Sequence, residues 1–299
     1  MTVTVNLKAY LEERRGTVDA ALDRVLPPES APPTSIHRAM RYSVLAPGKR
    51  LRPVLVIAGA EAVGGRAADV LDTACALELI HAYSLIHDDL PAMDDDDYRR
   101  GRLTSHKVFG EALAILAGDA LLTLAFRLVA ANAARVAGPA TVGAVVTEVA
   151  DAAGTDGMVG GQVVDIESEG RAISPDMLDY IHLHKTAALI RAALRVGALL
   201  GGARAEQVEA IGRAGQSLGL AFQIVDDILD VEGSLAELGK SAGSDERKKK
   251  ATYPSLHGLP ASKQRARELI DETKRLLLPL GPAADPIRAL ADFVFERRS

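Results

Sequence analysis

Apolar residues recur along the chain at the three- and four-residue intervals of amphipathic helices, and the two-residue alternation typical of strands is scarce. This spacing predicts long helices over residues 69–90, 111–137, 205–231 and 262–278. The helix at 111–137 is apolar on nearly every side, which predicts burial, whereas the charges of 262–278 predict a more exposed helix. The pattern therefore predicts an all-α fold.

Proline and glycine pairs interrupt the helical pattern, for example at residues 27–28, 64–65 and 201–202. Ser174 and Pro175 predict a helix start, with the serine as cap and the proline in the first turn. A longer polar loop is predicted at 233–252. No break is long enough for an interdomain linker. The sequence therefore predicts a single-domain bundle of antiparallel helices over residues 1–299.

The chain is acidic overall, since 35 Lys and Arg residues against 40 Asp and Glu residues give a net charge of −5. A nucleic-acid-binding protein carries a basic stripe, so we expect no nucleic-acid partner. A net-negative protein that binds anionic substrates must concentrate positive charge locally, through Lys, Arg or metal ions.

Three further expectations concern the compartment and the surface of the protein. No window approaches about 18 uninterrupted apolar residues, so we expect no membrane span. Residues 1–15 lack the apolar stretch of a signal peptide, and a cytoplasmic location is the expectation. Cys75, the one cysteine, lies in an apolar run and is predicted to be a buried structural thiol in a reducing compartment.

Two acidic clusters stand at the ends of strongly apolar helices. The first comprises Asp88, Asp89 and residues 94–97, and the second runs from Asp226 to Asp230 as Asp-Asp-Ile-Leu-Asp. Carboxylates gathered at the mouth of an apolar bundle repel one another, and this repulsion costs stability unless a cation binds. A solvated acidic loop is the alternative, and it accounts less well for two clusters than for one.

The spacing within each cluster supports a metal site. Asp226 and Asp230 are four residues apart and share a helix face. Asp88 and Asp94 are six residues apart, or about 240° on a straight helix, so they would diverge. Pro91 between them should kink or end the helix and let Asp94 fold back. An all-oxygen ligand set with few protein donors favours Mg²⁺ completed by substrate phosphates.

Basic residues lie between and beside these clusters. Gly48 to Pro53 places Lys49 and Arg52 in a loop that opens a helix, and Arg forks grip phosphate in a bidentate manner. Further candidates are Arg99, Arg100, Lys185 and Lys240. His81 lies seven residues before Asp88, on the same helix face, where it could donate to a phosphate oxygen or be an ordinary helix histidine.

Together these segments resemble the trans-prenyltransferases, or polyprenyl diphosphate synthases, and are most similar to bacterial farnesyl diphosphate synthases. The resemblance covers about residues 39–254. Its matching segments are 39–42, 48–53, 78–97, 99–101, 160–162 with Asp165, 184–186, 222–230 and 252–254. It implies a single all-α bundle around a deep central cavity, an Mg²⁺-dependent transferase, and a homodimer.

The resemblance also implies a role for each candidate residue. The Mg²⁺ ligands would be Asp88, Asp94 and Asp226, with Asp89, Asp227 and Asp230 in support. The allylic diphosphate would be bound by Arg99, Lys185 and Lys240. Isopentenyl diphosphate would be held by Lys49, Arg52, His81 and Arg100. Thr186 and Gln223 would lie near the developing allylic cation.

The product chain length is expected to depend on the depth of the cavity. In the family the residue five before the first aspartate helps form the floor, and here it is Tyr83. Its bulk favours the 15-carbon product, farnesyl diphosphate. A geranylgeranyl diphosphate synthase is the nearest alternative, and a non-catalytic subunit is a more distant one because both acidic clusters are intact. The Asp-rich second cluster argues against a terpene cyclase.

Two residues depart from the family pattern. Pro47 stands where a glycine is common before Gly48, which predicts a stiffer loop. Lys249 replaces a glycine before Lys250, which removes a flexible position. Both departures bear on loop closure rather than on the chemistry.

Overall fold

The computed structural model describes residues 6–233 and 251–297. Its α-helices are α1 Leu7–Val25, α2 Thr34–Val44, α3 Leu51–Glu61, α4 Ala67–Asp88, α5 Ser105–Phe109, α6 Glu111–Ala137, α7 Pro139–Ala153, α8 Met158–Ser168, α9 Pro175–Ile181, α10 Ala188–Leu200, α11 Ala205–Glu232, α12 Tyr253–His257, α13 Leu259–Leu276 and α14 Asp285–Glu296. A π-helical turn, His182–Ala187, joins α9 to α10, and a 3₁₀ segment, Leu278–Ala284, precedes α14. A two-stranded antiparallel hairpin, β1 Tyr98–Arg99 and β2 Arg102–Leu103, follows the first acidic cluster.

The all-α fold predicted from the sequence is confirmed. The four long helices predicted at 69–90, 111–137, 205–231 and 262–278 are α4, α6, α11 and α13, each within a few residues. Ser174 caps α9 as predicted, because its side chain accepts a hydrogen bond from the Met177 N–H. The loop predicted at 233–252 lies, apart from its ends, outside the described residues.

Buried apolar side chains from helices throughout the chain form one core, with α4 at its centre. Helix α4 packs against α3, α6 and α10. Where α3 crosses α10, the backbones almost touch: a Cβ on Gly59 would lie 2.3 Å from the Leu194 carbonyl oxygen, and one on Gly197 would lie 2.0 Å from that of Val56. This close packing positions the carboxyl end of α4, where the first acidic cluster begins.

Helix α6 is long and apolar enough to cross a membrane by length and composition, as its most apolar 18-residue window has a mean hydropathy of 1.9. In this structure it packs against α4 and α7. Only 39% of that window is buried, so part of the helix surface stays exposed. Ile115 and Leu116 near its start remain exposed. The absence of a membrane span stays a prediction.

Cys75 is fully buried in α4, as the sequence predicted, and its thiol is a testable feature of the core. Burial, followed by the charge of Asp72, raises the pKa of the thiol to about 12. Because the thiolate is the reactive form, Cys75 in the native protein should not react with an aromatic disulfide reagent at pH 8. One equivalent should react after denaturation in guanidinium. Rapid release of the thiolate product from the native protein would contradict this burial.

Candidate active site

The first acidic cluster is built by a tight turn at the end of α4. The helix ends at Asp88, before Pro91, and the Asp94 N–H donates to the Asp88 carbonyl oxygen at 2.8 Å. The chain therefore folds back after Asp88, as the position of Pro91 predicted. Burial raises the pKa of Asp88 to about 6, with Asp94 adding to the rise and Lys185 and Arg99 opposing it. The two carboxylates repel each other, and a bound cation would relieve this repulsion.

The neighbouring Asp89 is committed to an ion pair. It is buried, and its Oδ1 accepts from Arg99 Nε at 2.7 Å and lies 2.6 Å from Arg99 Nη2. Arg99, the second residue of the hairpin strand β1, also lies 3.5 Å from Asp96. Arg99 is thus held next to Asp88 by two carboxylates, so Asp89 acts as its anchor.

A basic cavity lies beside this cluster. It has a volume of about 60 Å³ and is lined by His81, Arg99 and Arg100, among others. The Nε of Arg52 is buried without a hydrogen-bond partner, and burial lowers the pKa of its guanidinium, with the charge of Arg100 acting in the same direction. Burial and then the charges of Arg52 and Arg100 hold the pKa of His81 well below its usual value. His81 is therefore neutral at pH 7, and the cavity is suited to an anion.

The loop before α3 is shaped by a different arginine. Arg50 adopts a left-handed φ of 51° and is buried in ion pairs with Glu78 and Asp19, both at 2.8 Å. The Nη1 of Arg100 donates to the Pro47 carbonyl oxygen at 2.9 Å. A Cβ on Gly48 would lie 2.5 Å from that Nη1, so glycine leaves room for the contact. Pro47 thereby helps to orient Arg100.

Lys185 and Thr186 lie in the π-helical turn. Turns of this kind are frequent at functional sites. The Nζ of Lys185 donates to Asp165 Oδ2 at 2.7 Å, and its charge acts on Asp88. The hydroxyl of Thr186 donates to Gln223 Oε1 on α11. This pairing brings two residues that are distant in sequence to one place.

The second acidic cluster occupies the last turns of α11. Asp226 Oδ1 accepts from Arg297 Nη2 at 3.3 Å, and the same Nη2 donates to the Phe222 carbonyl oxygen at 3.1 Å. The Arg297 guanidinium stacks 4.1 Å from the centre of the Phe222 ring. A cavity of about 220 Å³ opens between this arginine and Lys49. Arg297 therefore places a positive charge next to Asp226.

A family model described as Polyprenyl synthetase matches residues 33–275. The chain belongs to this family. It is 46% identical over 295 residues to a geranylgeranyl diphosphate synthase of Cyanophora paradoxa, covering 98% of this chain and 97% of the relative. A dimethylallyltranstransferase of Fischerella ambigua (strain UTEX 1903) is 47% identical over 295 residues, covering 98% of this chain and 84% of the relative.

The solved structures lead to the same family. The apo crystal structure of an FPP/GFPP synthase from Zymomonas mobilis superposes with a TM-score of 0.87 at 34% identity, covering 98% of this chain and 100% of that one. The predicted resemblance to the trans-prenyltransferases is thus confirmed, and the protein is a prenyltransferase.

Enzymes of this family generally use Mg²⁺, and the donors present here fit that ion. Asp88 and Asp94 offer hard carboxylate oxygens that lie close enough to interact electrostatically, and Asp226, whose side chain is 49% exposed, offers further ones. Few protein donors leave positions for water and substrate phosphate, which is the usual arrangement for Mg²⁺. Within residues 6–233 and 251–297, no three His, Cys, Asp or Glu side chains already form a metal-binding group.

The structure places the candidate residues in four groups. The carboxylates Asp88 and Asp94 adjoin Lys185 and Arg99, while His81 and Arg100 line the basic cavity with Arg52 close by. Asp226 and Lys49 lie near Arg297, and Thr186 pairs with Gln223. Lys240 and Lys249 lie outside the described residues. The individual roles in metal and substrate binding stay predictions.

Sequence reasoning did not identify two residues of the site. Arg297 is 71 residues from Asp226, and no local pattern connects them. His182 is not among the residues that the sequence singled out, yet its buried ring lies 3.5 Å from Asp227. Both contacts arise from packing between distant helices, so the sequence carries no signal for them.

Proposed function

We propose that the protein condenses isopentenyl diphosphate with allylic diphosphates, head to tail, to give geranylgeranyl diphosphate. One observation carries the two-substrate part of this proposal: a cavity lined by His81 and Arg100, with Arg52 close by, adjoins the Asp88–Asp94 carboxylate pair. The cavity is suited to bind one diphosphate directly, and the carboxylate pair is suited to bind another through a cation. Two diphosphates can therefore lie side by side. The 20-carbon product is supported by relatives at 46–48% identity that are named geranylgeranyl synthases.

In this mechanism each group of residues has a separate task. Arg52, Arg100 and neutral His81 bind isopentenyl diphosphate and orient its double bond. Asp88, Asp94 and Asp226 would hold Mg²⁺, which supplies the charge that turns the allylic diphosphate into a leaving group. Lys185, oriented by Asp165, binds the same diphosphate.

Bond making and breaking need no enzyme nucleophile. The allylic C–O bond breaks and the diphosphate leaves with the electron pair. The double bond of isopentenyl diphosphate then attacks the allylic carbon, and a proton passes from the new chain to the departing diphosphate. The Thr186 hydroxyl donates a hydrogen bond to Gln223 Oε1. The lone pairs of the Thr186 oxygen therefore remain available to the developing positive charge. Apolar residues that line the cavity, among them Ala82, Leu85 and Ile86, would exclude water that could trap the cation.

The proposed activity is tested by incubating the purified protein with Mg²⁺, labelled isopentenyl diphosphate and, separately, the 5-, 10- and 15-carbon allylic starters. We expect all three starters to be extended and the 20-carbon alcohol to dominate after phosphatase treatment and chromatography. EDTA should abolish turnover. No extension of any starter would overturn the proposal.

Farnesyl diphosphate is the second candidate product, and the position of Tyr83 favours it. Tyr83 is buried in α4 about 7.5 Å along the helix from Asp88, and its ring packs edge-on against that of His87. A buried aromatic ring at this depth would block a growing chain. Accumulation of the 15-carbon product in the same assay would favour this candidate.

Replacement of Tyr83 by alanine tests the cavity floor. Because the substitution removes a buried ring, we expect the main product to lengthen by at least one five-carbon unit. Tyr83→Phe is the matched control, since it retains the ring and should retain the product. Product length is read by chromatography, and an unchanged length in Tyr83→Ala would reject Tyr83 as the floor.

We also propose that the protein forms a homodimer through α5 and the start of α6. Val108, Ile115 and Leu116 expose apolar side chains there, and Leu116 is 52% exposed. A second copy of this chain would bury these side chains. Leu116→Glu should therefore produce a monomer in size-exclusion chromatography with light scattering, whereas a monomeric wild-type protein would refute the dimer.

A further inference from the structure

The two adjacent aspartates of the second acidic cluster face different environments. The side chain of Asp226 is 49% exposed, while Asp227 as a residue is 8% exposed. Asp227 Oδ2 accepts a hydrogen bond from the backbone N–H of Tyr253 at 2.7 Å. Tyr253 is the first residue of α12, where backbone N–H groups have no partner within the helix. One oxygen of Asp227 thus serves the protein backbone.

The same oxygen lies beside a buried histidine. His182 Nε2 is 3.5 Å from Asp227 Oδ2, and the His182 ring stacks with Tyr253 at a centroid distance of 6.1 Å. Burial lowers the pKa of His182 to about 4, so the ring is neutral at pH 7. His182 is also the first residue of the π-helical turn that carries Lys185 and Thr186.

Three elements therefore meet at one buried carboxylate. Helix α11 contributes Asp227 and carries Asp226 and Gln223, the π-helical turn contributes His182, and α12 contributes the Tyr253 N–H. A shift of about 1 Å in such a framework can lower turnover about 10²-fold. A displacement of this carboxylate would therefore move the elements that carry the Thr186–Gln223 pair and Asp226.

We propose that Asp227 is a positioning residue, which joins α11 to the π-helical turn and to α12 and supports the metal-binding aspartates without binding Mg²⁺. This proposal rests on the proposed function, because the residues that it positions are those of the condensation site. It requires a buried hydrogen-bond acceptor at this position rather than a negative charge.

The experiment compares Asp227→Asn, which retains an acceptor of the same shape, with Asp227→Ala, which leaves the buried Tyr253 N–H unpaired. Asp226→Asn is the matched variant on the metal-facing neighbour. We expect Asp227→Ala to lower kcat about 10- to 100-fold and Asp227→Asn to recover most of that loss. The Mg²⁺ concentration for half-maximal rate should change only in Asp226→Asn.

A second measurement does not depend on activity. Hydrogen exchange, followed by mass spectrometry of the segment 252–258, should accelerate in Asp227→Ala and remain slow in Asp227→Asn and Asp226→Asn. Titration of inorganic pyrophosphate with Mg²⁺ should give wild-type Mg²⁺ affinity in Asp227→Asn. An Asp227→Asn protein that needs as much additional Mg²⁺ as Asp226→Asn would overturn the proposal.

The outcomes separate this inference from the proposed function. A wild-type protein that forms no prenyl product but shows the expected exchange pattern would refute the function and retain the link between helices. An active wild-type protein in which Asp227→Ala leaves exchange unchanged would refute the positioning role. If Asp227→Ala does not fold, the Mg²⁺ dependence of Asp227→Asn decides alone.

Discussion

Replacement of Asp88 by asparagine should lower kcat about 10²- to 10³-fold, the usual cost of removing one preorganised electrostatic group. Asparagine keeps the shape of the side chain but removes the charge that would hold Mg²⁺ next to Asp94. Steady-state kinetics at saturating isopentenyl diphosphate, over a range of Mg²⁺ concentrations, measures the effect. Asp271→Asn, an exposed aspartate on α13, is the control and should behave as wild type.

The same variant should be more stable than the wild type when no metal is bound. The pKa of Asp88 is about 6 in the folded protein, above its usual value, so the folded state binds the proton more tightly than the unfolded state. The ionised carboxylate then costs up to about 3 kcal/mol at pH 7, and this cost disappears as the pH falls through 6 toward 4. A higher Tm with lower activity would separate a functional charge from a structural one, and an equally active Asp88→Asn protein would remove Asp88 from the site.

Replacement of Gly161 by alanine should lower kcat/KM about 10²-fold, because it displaces the backbone that carries Lys185. A Cβ on Gly161 would lie 2.2 Å from the Lys185 backbone nitrogen and 2.7 Å from its Cα. The π-helical turn would have to move away from α8. Lys185 would then shift from Asp165 and from the diphosphate that it is proposed to bind. Kinetics with varied allylic substrate measures the effect.

Gly143→Ala is the matched control for this substitution. Gly143 lies in helix α7, and a Cβ there would meet nothing within 4 Å. Alanine should be neutral or stabilising by about 0.5–1 kcal/mol at such a helical site. If Gly161→Ala has the same activity as Gly143→Ala, the close approach of α8 does not position Lys185.

The positions of the first acidic cluster follow from local rules that the sequence carries. The helix period predicts that Asp88 and Asp94 diverge on a straight helix, and Pro91 predicts that the helix ends between them. The structure has this ending and a backbone hydrogen bond that returns Asp94 to Asp88. Such features can be predicted because they depend on residues within a few positions of one another.

The sequence does not predict which partners are met by two nearby residues of the same type. Arg50 and Arg52 belong to one basic segment. Arg50 forms ion pairs with Glu78 and Asp19, whereas the Arg52 Nε has no protein partner. Asp226 and Asp227 likewise face different surroundings. Which partner a charged side chain meets depends on helices that are distant in sequence, and no local pattern encodes it.

The amino-acid sequence by itself determined the helical fold, the two acidic helix ends and the family, because periodicity, proline positions and motif spacing are local properties. Only the tertiary structure decided that Arg297 pairs with Asp226, that His182 meets Asp227, and that Gly161 contacts the backbone of Lys185. Each of these contacts joins residues that lie 24 to 71 positions apart in sequence. The approach of Gly161 to Lys185 is between the two backbones. They exist because the packing of whole helices, rather than any single residue, sets the distances between side chains.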